Sequence, residues 1–126
     1  MSEVNNGKIF IVEDNELNLK LFCDLLGANN YEVESTVDGD LAMELIRKAM
    51  PGLILMDIQL QGMSGIDLIK NIKCDKYIGE IPIIAVTAFA MRDDKEKIME
   101  SGCDSYIAKP ISIEPFLQEI AKFIKK

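Results

Sequence analysis

Side chains that could bind a metal ion or a phosphoryl group follow four of the apolar runs in this sequence. Glu13 and Asp14 follow the first run, Asp57 follows the third, Thr87 ends the fourth and Lys109 follows the fifth. Carboxylates on neighbouring strand ends repel one another strongly unless a cation offsets their charge. Oxygen ligands favour a hard divalent cation, so the sequence predicts a Mg²⁺ site.

The same residue types also suit a phosphoryl group. The cation and Lys109 would neutralise the phosphoryl oxygens, and the Thr87 hydroxyl would donate to one of them, while Asp57 attacks phosphorus in line. Small Ala88 leaves space beside Thr87. Each residue taken singly has a more ordinary role as a helix cap, a turn residue or part of the core. The functional interpretation therefore depends on all of them reaching one edge of a sheet.

Five short runs rich in apolar or β-branched residues alternate with stretches of helical period, as the positioning of such a site requires. The predicted strands are 8–12, 31–36, 53–56, 81–87 and 105–108. The predicted helices are 16–26, 40–48, 66–74, 94–100 and a last one whose core-facing residues are Ile113, Phe116, Leu117, Ile120 and Ile124. Strict alternation predicts an α/β fold, (βα)5, with a parallel sheet covered on both faces. Ligands bind beyond the carboxyl ends of such strands.

Residues typical of edge strands, junctions and helix caps support these predicted elements. The run 31–36 alternates apolar and polar residues, as an edge strand does, whereas three other runs are apolar nearly throughout. Gly39, Gly65 and Gly102 lie at predicted junctions, and Ser112 is expected to cap the last helix with Pro115 in its first turn. No linker divides residues 1–126, so we expect a single domain, with residues 1–7 as a flexible N-terminal segment.

Composition excludes several classes of function. The 126 residues carry a net charge of −7, which disfavours nucleic acid and anionic membranes as partners. The absence of histidine excludes an imidazole base, a histidine metal ligand or an internal phosphohistidine. Three cysteines without a CxxC pair favour free, buried thiols in a reducing cytosol, and no signal peptide or membrane span is evident. We therefore expect a cytoplasmic protein.

Four segments together resemble the receiver domain of two-component response regulators. They are IVEDN at 11–15, LILMDIQL at 53–60, AVTA at 85–88 and YIAKP at 106–110. The resemblance covers essentially the whole chain, and the segments occur in the family's order and at its separations. The stretches EDNELNLKLF, AVTAFAM and GCDSYIAKPIS are most similar to single-domain regulators of cell division. The family implies a flavodoxin-like sheet with strand order 2-1-3-4-5.

The resemblance implies a role for each matching residue. Asp57 would be the phospho-acceptor, assisted by Lys109 and Thr87. Asp14, Asp57 and the Gln59 backbone carbonyl would bind Mg²⁺ directly, with Glu13 acting through water. Thr87 and Tyr106 would form the switch, and Pro110 would follow a cis peptide bond that aims Lys109.

The resemblance also implies partners and a way of signalling. The phosphodonor would be a histidine kinase or a histidine phosphotransferase, and the output would be an altered protein contact through residues 91–126, with Phe89, Tyr106 and Phe123 as apolar anchors. We expect a monomer or weak dimer that is not an enzyme. One departure from the family is Gln61, followed by Gly62, where a proline is common; the loop should be more flexible for it.

Three other classes of protein share features with this sequence. A flavin-binding protein of similar topology would need a Ser/Thr/Gly-rich phosphate loop after the first strand, where this chain has Glu13, Asp14 and Glu16. A phosphatase with an aspartyl-phosphate intermediate of the haloacid-dehalogenase type would need an acid two residues after Asp57, where this chain has Gln59. An unphosphorylated receiver-fold adaptor that regulates a histidine kinase by binding alone stays open as the alternative.

Overall fold

Strands and helices alternate along the chain, as the sequence predicts. The computed structural model describes residues 5–60, 64–88 and 92–124. The strands are β1 (Asn5–Val12), β2 (Glu32–Thr36), β3 (Pro51–Asp57), β4 (Ile83–Thr87) and β5 (Ser105–Ala108). The helices are α1 (Glu16–Ala28), α2 (Gly39–Ala49), α3 (Gly65–Cys74), α4 (Arg92–Glu100) and α5 (Ile113–Phe123). The (βα)5 prediction is therefore confirmed.

All five strands are parallel and lie in the order β2-β1-β3-β4-β5. The strand order reverses between β1 and β3, so the ends of these two strands flank the crevice where this class of sheet binds ligands. The strands β3 and β4 are buried along their whole length, whereas β2 is mostly exposed. The predicted edge position of β2 is confirmed.

Two layers of apolar side chains hold the helices to the sheet. Alternate strand residues such as Phe10, Ile54 and Ile83 pack with α2, α3 and α4 on one face. Their neighbours, such as Ile11 and Leu55, pack with α1 and α5 on the other. This period of two, with apolar residues on both faces, explains why the central strands are continuous apolar runs.

Several boundary predictions differ from the structure. The strand β1 begins at Asn5, so residues 5–7 of the expected flexible segment belong to the sheet, and residues 1–4 lie outside the described residues. Ser112 is the N-cap residue of α5, but its side chain makes no capping hydrogen bond. Among the cysteines, Cys103 is buried as expected, whereas Cys23 is half-buried and Cys74 is exposed. All three are free thiols.

Ile113 is the clearest error in the predicted core, because it is 58% exposed. It is the first residue of α5, and helical side chains point toward the N-terminus of their helix. The Ile113 side chain therefore projects past the helix start. Phe116, Ile120 and Ile124 of the same predicted stripe are buried, and Leu117 packs against them.

Candidate functional site

Acidic side chains from two neighbouring strands meet at the carboxyl edge of the sheet. Glu13 and Asp14 follow β1, and Asp57 ends β3. One carboxylate oxygen from each of the three lies within 4.8 Å of the other two. Glu13 and Asp57 are almost fully buried, whereas Asp14 is half-exposed and opens the cluster to solvent. The predicted set of carboxylates is thus brought together.

Lys109 joins this cluster from the loop after β5. Its Nζ donates to Glu13 Oε1 at 2.9 Å and contacts Asp57 Oδ2 at 3.4 Å. The backbone N–H of Lys109 donates to the Thr87 carbonyl at 2.7 Å, which fixes the start of this loop against the end of β4. The Lys109–Pro110 peptide bond is cis. One ammonium group therefore lies against two of the three carboxylates.

Backbone amides hold the carboxylates in place. The Gln59 N–H donates to Asp57 Oδ1 at 2.9 Å, and the Asn15 N–H donates to Glu13 Oε2 at 3.1 Å. Asn15 is also the N-cap of α1, because its side chain accepts from the Asn18 N–H. The helix start and the acidic cluster are therefore built by the same short segment.

The electrostatics reflect a surplus of negative charge. Burial raises the pKa of the Glu13 carboxyl to about 7, and the hydrogen-bonded Asp57 carboxyl adds to that rise. Burial alone would lower the pKa of Lys109, but its hydrogen bond to Glu13 and the charge of Asp57 outweigh burial and raise it. Lys109 is therefore charged at neutral pH, and its single charge faces more than one acid.

The donor set fits Mg²⁺. Three carboxylates provide hard oxygen ligands, and their oxygens are close enough together to contact one ion. The half-exposed Asp14 leaves an entry path from solvent. Glu13, Asp14 and Asp57 could therefore hold the ion, beside the ammonium group of Lys109 that already pairs with Glu13.

Thr87 and Tyr106 occupy neighbouring strands beside the cluster. Thr87, the last residue of β4, is buried and pairs with Ala108 of β5. Tyr106 is half-buried against the core on the α4 side, and Lys95 Nζ lies 5.3 Å from the centre of its ring. The two predicted switch residues are thus separated by one strand spacing and two positions along the sheet. Gln61, Gly62, Phe89 and Met91 lie outside the described residues.

Sequence reasoning missed the role of Gly65, the first residue of α3. A Cβ placed there would lie 2.5 Å from the Asp57 carbonyl oxygen and 2.5 Å from Ile58 Cα. The Gly65 N–H also donates to the Ile58 carbonyl at 3.0 Å. Only glycine allows α3 to approach the Asp57 backbone this closely. The sequence marks Gly65 as a junction, but the approach depends on tertiary packing.

Gly65→Ala is expected to lower the free energy of unfolding by about 1–3 kcal/mol, because the added methyl group would displace the Asp57–Ile58 backbone. Weaker Mg²⁺ binding should accompany the loss. Urea denaturation with and without Mg²⁺ measures both effects. Gly27→Ala is the matched control, since a Cβ there meets nothing within 4 Å. Because alanine favours helix, that control should stabilise by roughly 0.5–1 kcal/mol. Equal stability of Gly65→Ala and wild type would contradict the close approach.

Three acids, two of them buried, and a lysine therefore lie together at the strand-order switch of a five-stranded parallel sheet. In agreement, the model of the response regulator receiver domain family matches residues 9–121. The chain belongs to this family. It is 50% identical over 116 residues to the polar-differentiation response regulator DivK of Brucella ovis, covering 92% of this chain and 94% of that protein. The Brucella suis protein of the same name matches equally.

Solved structures agree. The receiver domain of the sensor histidine kinase PA1611 from Pseudomonas aeruginosa PAO1 aligns with a TM-score of 0.86 and 28% identity. The alignment covers 94% of this chain and 98% of that one, and that structure has a magnesium ion coordinated in its active-site cleft. The Vibrio cholerae chemotaxis protein CheY4 shares the fold, with a TM-score of 0.88 and 22% identity over 95% of this chain and all of that one. The resemblance to the receiver domains of response regulators is thus confirmed.

No helix within the described part of the chain combines the length and the apolar character needed to cross a membrane.

Proposed function

We propose that this protein is a phosphorylation switch in which Asp57 accepts a phosphoryl group and the acceptance alters a protein-binding surface. The observation that carries the proposal is the buried Asp57 carboxylate, held by the Gln59 amide beside two further acids and Lys109. A buried carboxylate of this kind is presented to a reactant rather than to bulk water.

In the transfer step an Asp57 oxygen forms a bond to phosphorus while the bond from phosphorus to the donor's imidazole nitrogen breaks. The electron pair leaves with the imidazole, which then takes up a proton. Lys109 would hold one phosphoryl oxygen, and the Thr87 hydroxyl would donate to another. Glu13, Asp14, Asp57 and the Gln59 carbonyl would hold Mg²⁺, whose charge would neutralise the phosphoryl oxygens when bound. This chain contains no histidine, so the phosphohistidine belongs to another molecule.

The donor is therefore a histidine kinase or a histidine phosphotransferase, and the working location is the cytoplasm, where such donors have their phosphorylated domains. The relatives named for polar differentiation support a role in cell-cycle or cell-division control. The free protein would be a monomer or a weak dimer. Negative charge of −7 argues against nucleic acid as the target.

The output surface would be the α4–β5–α5 surface, which is formed by these three elements. After transfer the Thr87 hydroxyl would move toward the phosphoryl group, and the Tyr106 ring would turn into the space that it leaves. That turn would break the contact between Lys95 and the ring, whose centre is 5.3 Å from Lys95 Nζ. A chemical change at Asp57 would thereby alter side chains on the surface.

The proposal is tested by incubating the protein with acetyl phosphate, with and without Mg²⁺, and measuring intact mass. We expect the mass of one phosphoryl group to be gained only with Mg²⁺ and to be lost in hydroxylamine, which cleaves acyl phosphates. No mass gain under any condition would contradict the proposal and favour the unphosphorylated adaptor.

Thr87→Ala should still accept the phosphoryl group, because Asp57, Lys109 and the acidic cluster are unchanged. The response of the surface should be lost, because the hydroxyl that links the phosphoryl group to Tyr106 is absent. Intact mass reports the first effect, and the NMR shifts of the Tyr106 ring and of α4 report the second. Thr87→Ser, which keeps the hydroxyl, is the matched control. A full shift response in Thr87→Ala would refute the role of Thr87 as the switch.

A further inference from the structure

The sheet has two edges, and they differ in character. At one edge β2 exposes Glu32 and Glu34, which pair with Lys8 at 3.3 and 2.6 Å. Charged side chains on an edge strand discourage pairing with another strand. At the other edge β5 has the sequence SYIA, with no charged residue. Nothing in the side chains of β5 therefore opposes the addition of a further strand.

The backbone of β5 has free hydrogen-bonding capacity on its outer side. The Val86 carbonyl accepts from Ile58 on the β3 side, and the next carbonyl, Thr87, accepts from the Lys109 N–H on the β5 side. Directions alternate along a strand, so Ser105 and Ile107 face β4, as Lys109 does. Before the strand begins, Asp104 N–H also bonds to Ile83. The N–H and C=O groups of Tyr106 and Ala108 consequently face outward, where no described strand pairs with them.

Two clefts lie beside this edge, one on each face of the sheet. On the α5 face a cleft of about 380 Å³ is lined by Ile107, Pro115, Phe116 and Glu119. On the α4 face a cleft of about 410 Å³ is lined by Met99 and Tyr106 together with the polar residues Lys95, Glu96, Asp104 and Ser105. Met99 is 45% exposed there. An extended strand sends successive side chains to opposite faces, so one beside β5 would direct them alternately into these two clefts.

From the open edge and the paired clefts we propose that an extended peptide segment of a partner protein binds by adding a sixth strand to β5. The segment would have apolar residues at its centre, for contact with the apolar residues Met99, Tyr106 and Phe116 of the clefts. Its ends would be basic or neutral, because acidic residues such as Glu96 and Glu119 also line the clefts. Main-chain hydrogen bonds to Tyr106 and Ala108 would supply affinity, and the two clefts would supply specificity.

Other occupants fit less well. A helix laid across β5 would cover the outward N–H and C=O groups of Tyr106 and Ala108 without bonding them, which is unfavourable. A second copy of this chain could pair through β5, but each copy carries a net charge of −7. That repulsion opposes self-association. The extended peptide is the occupant that satisfies the edge and needs no second acidic chain.

This inference deepens the proposed function by giving the form of the partner, and it rests on the α4–β5–α5 surface being the output surface. Peptide binding is measured on the unmodified protein, whereas phosphorylation is measured separately by intact mass. A failure of one is therefore distinguishable from a failure of the other.

The probe is a panel of capped heptapeptides of the form KTVIVTK, with Val, Ile, Phe or Tyr at the three central positions. Binding to the ¹⁵N-labelled full chain is measured by amide hydrogen exchange. We expect the amides of Tyr106 and Ala108 to exchange at least about tenfold more slowly with peptide, as newly bonded groups do. Ser105 and Ile107 should change less, because they already bond to β4. The outward amides of the opposite edge, Val33 and Ser35, serve as controls.

A second measurement uses single N-methyl groups placed at each peptide position in turn. Every second N-methyl group should weaken binding about tenfold, because it removes a hydrogen bond to β5, and the intervening ones should have little effect. Absence of saturable protection by any peptide of the panel at millimolar concentration would overturn the proposal. The proposal would also be overturned if the effects of the N-methyl groups did not alternate along the peptide, since a bound helix would give no such alternation. Concentration-dependent protection of the same amides without peptide would assign the edge to a second copy instead.

Discussion

Asp57→Asn is expected to accept no phosphoryl group from acetyl phosphate and, in metal-free buffer, to be more stable than wild type. The first result follows because an amide is not a nucleophile toward phosphorus. The second follows because a carboxylate oxygen of Asp57 lies within 4.8 Å of oxygens from Glu13 and Asp14, so that the substitution removes repulsion between like charges. A pair of unit charges at that distance interacts by about 3 kcal/mol at the effective dielectric constant of a protein surface. Loss of the attraction between Asp57 and Lys109 offsets most of the reduction in repulsion. The free energy of unfolding should therefore rise by only about 1 kcal/mol.

The gain should reverse with the metal present. Wild type in Mg²⁺ at about ten times its dissociation constant gains about 1.4 kcal/mol from binding, and Asp57→Asn should gain little because a ligand is missing. Intact mass and urea denaturation in EDTA and in Mg²⁺ measure these effects. Asp24→Asn, which alters an exposed acid paired with Lys20, is the control and should change none of them. Phosphorylation of Asp57→Asn would show that another residue is the acceptor.

Most of the fold could be predicted because its determinants are local. The strands β3 and β4 are buried on both faces, which requires a continuous run of apolar residues. The helices α2 and α3 likewise show their buried stripes in the sequence. The strand order follows from the resemblance to receivers, since alternation alone predicts parallel strands but not which strands are neighbours. The structure confirms that order.

The residues of the site could be predicted from the sequence, but the contacts between their side chains could not. Parallel strands bring Glu13, Asp14 and Asp57 to one edge, and that follows from topology. The hydrogen bond between Lys109 and Glu13 joins residues 96 positions apart, and nothing in the sequence indicates that Glu13 is the partner of Lys109. The sequence assigned Lys109 to the phosphoryl group alone, whereas the structure also uses it to hold a buried acid. Only side-chain geometry in the folded chain distinguishes these roles.

Several local features depend on tertiary surroundings that the sequence does not show. Ser112 has the residue type of an N-cap, yet its side chain makes no capping bond. Gly65 has the residue type of a junction, yet it is required because the Asp57–Ile58 backbone lies against it. Met50 ends α2 in the left-handed region, with φ of 44°, which glycine or asparagine would adopt more readily. Residue type alone cannot reveal which neighbours a position meets.

Lys109→Met is expected to cause a large loss of stability. Lys109 contacts Glu13 and Asp57, and both are almost fully buried. Removing the cation leaves two buried acids without compensation. Removal of one partner from a fully buried pair costs about 3–5 kcal/mol, and the 17% exposure of the lysine side chain reduces this to about 2–3 kcal/mol.

Phosphorylation of Lys109→Met should slow by about 10²–10³-fold, because the positive charge that we propose for the transferring phosphoryl group is lost. Mg²⁺ should recover part of the stability but not the rate, since it offsets the charge of the acids but does not replace the ammonium group at the phosphoryl oxygen. Urea denaturation with and without Mg²⁺, together with the rate of mass gain, separates these effects. Lys122→Met is the control, because its pair with Glu119 is exposed and should be worth less than about 1 kcal/mol. Wild-type stability of Lys109→Met in EDTA would show that the lysine does not offset the charge of the buried acids.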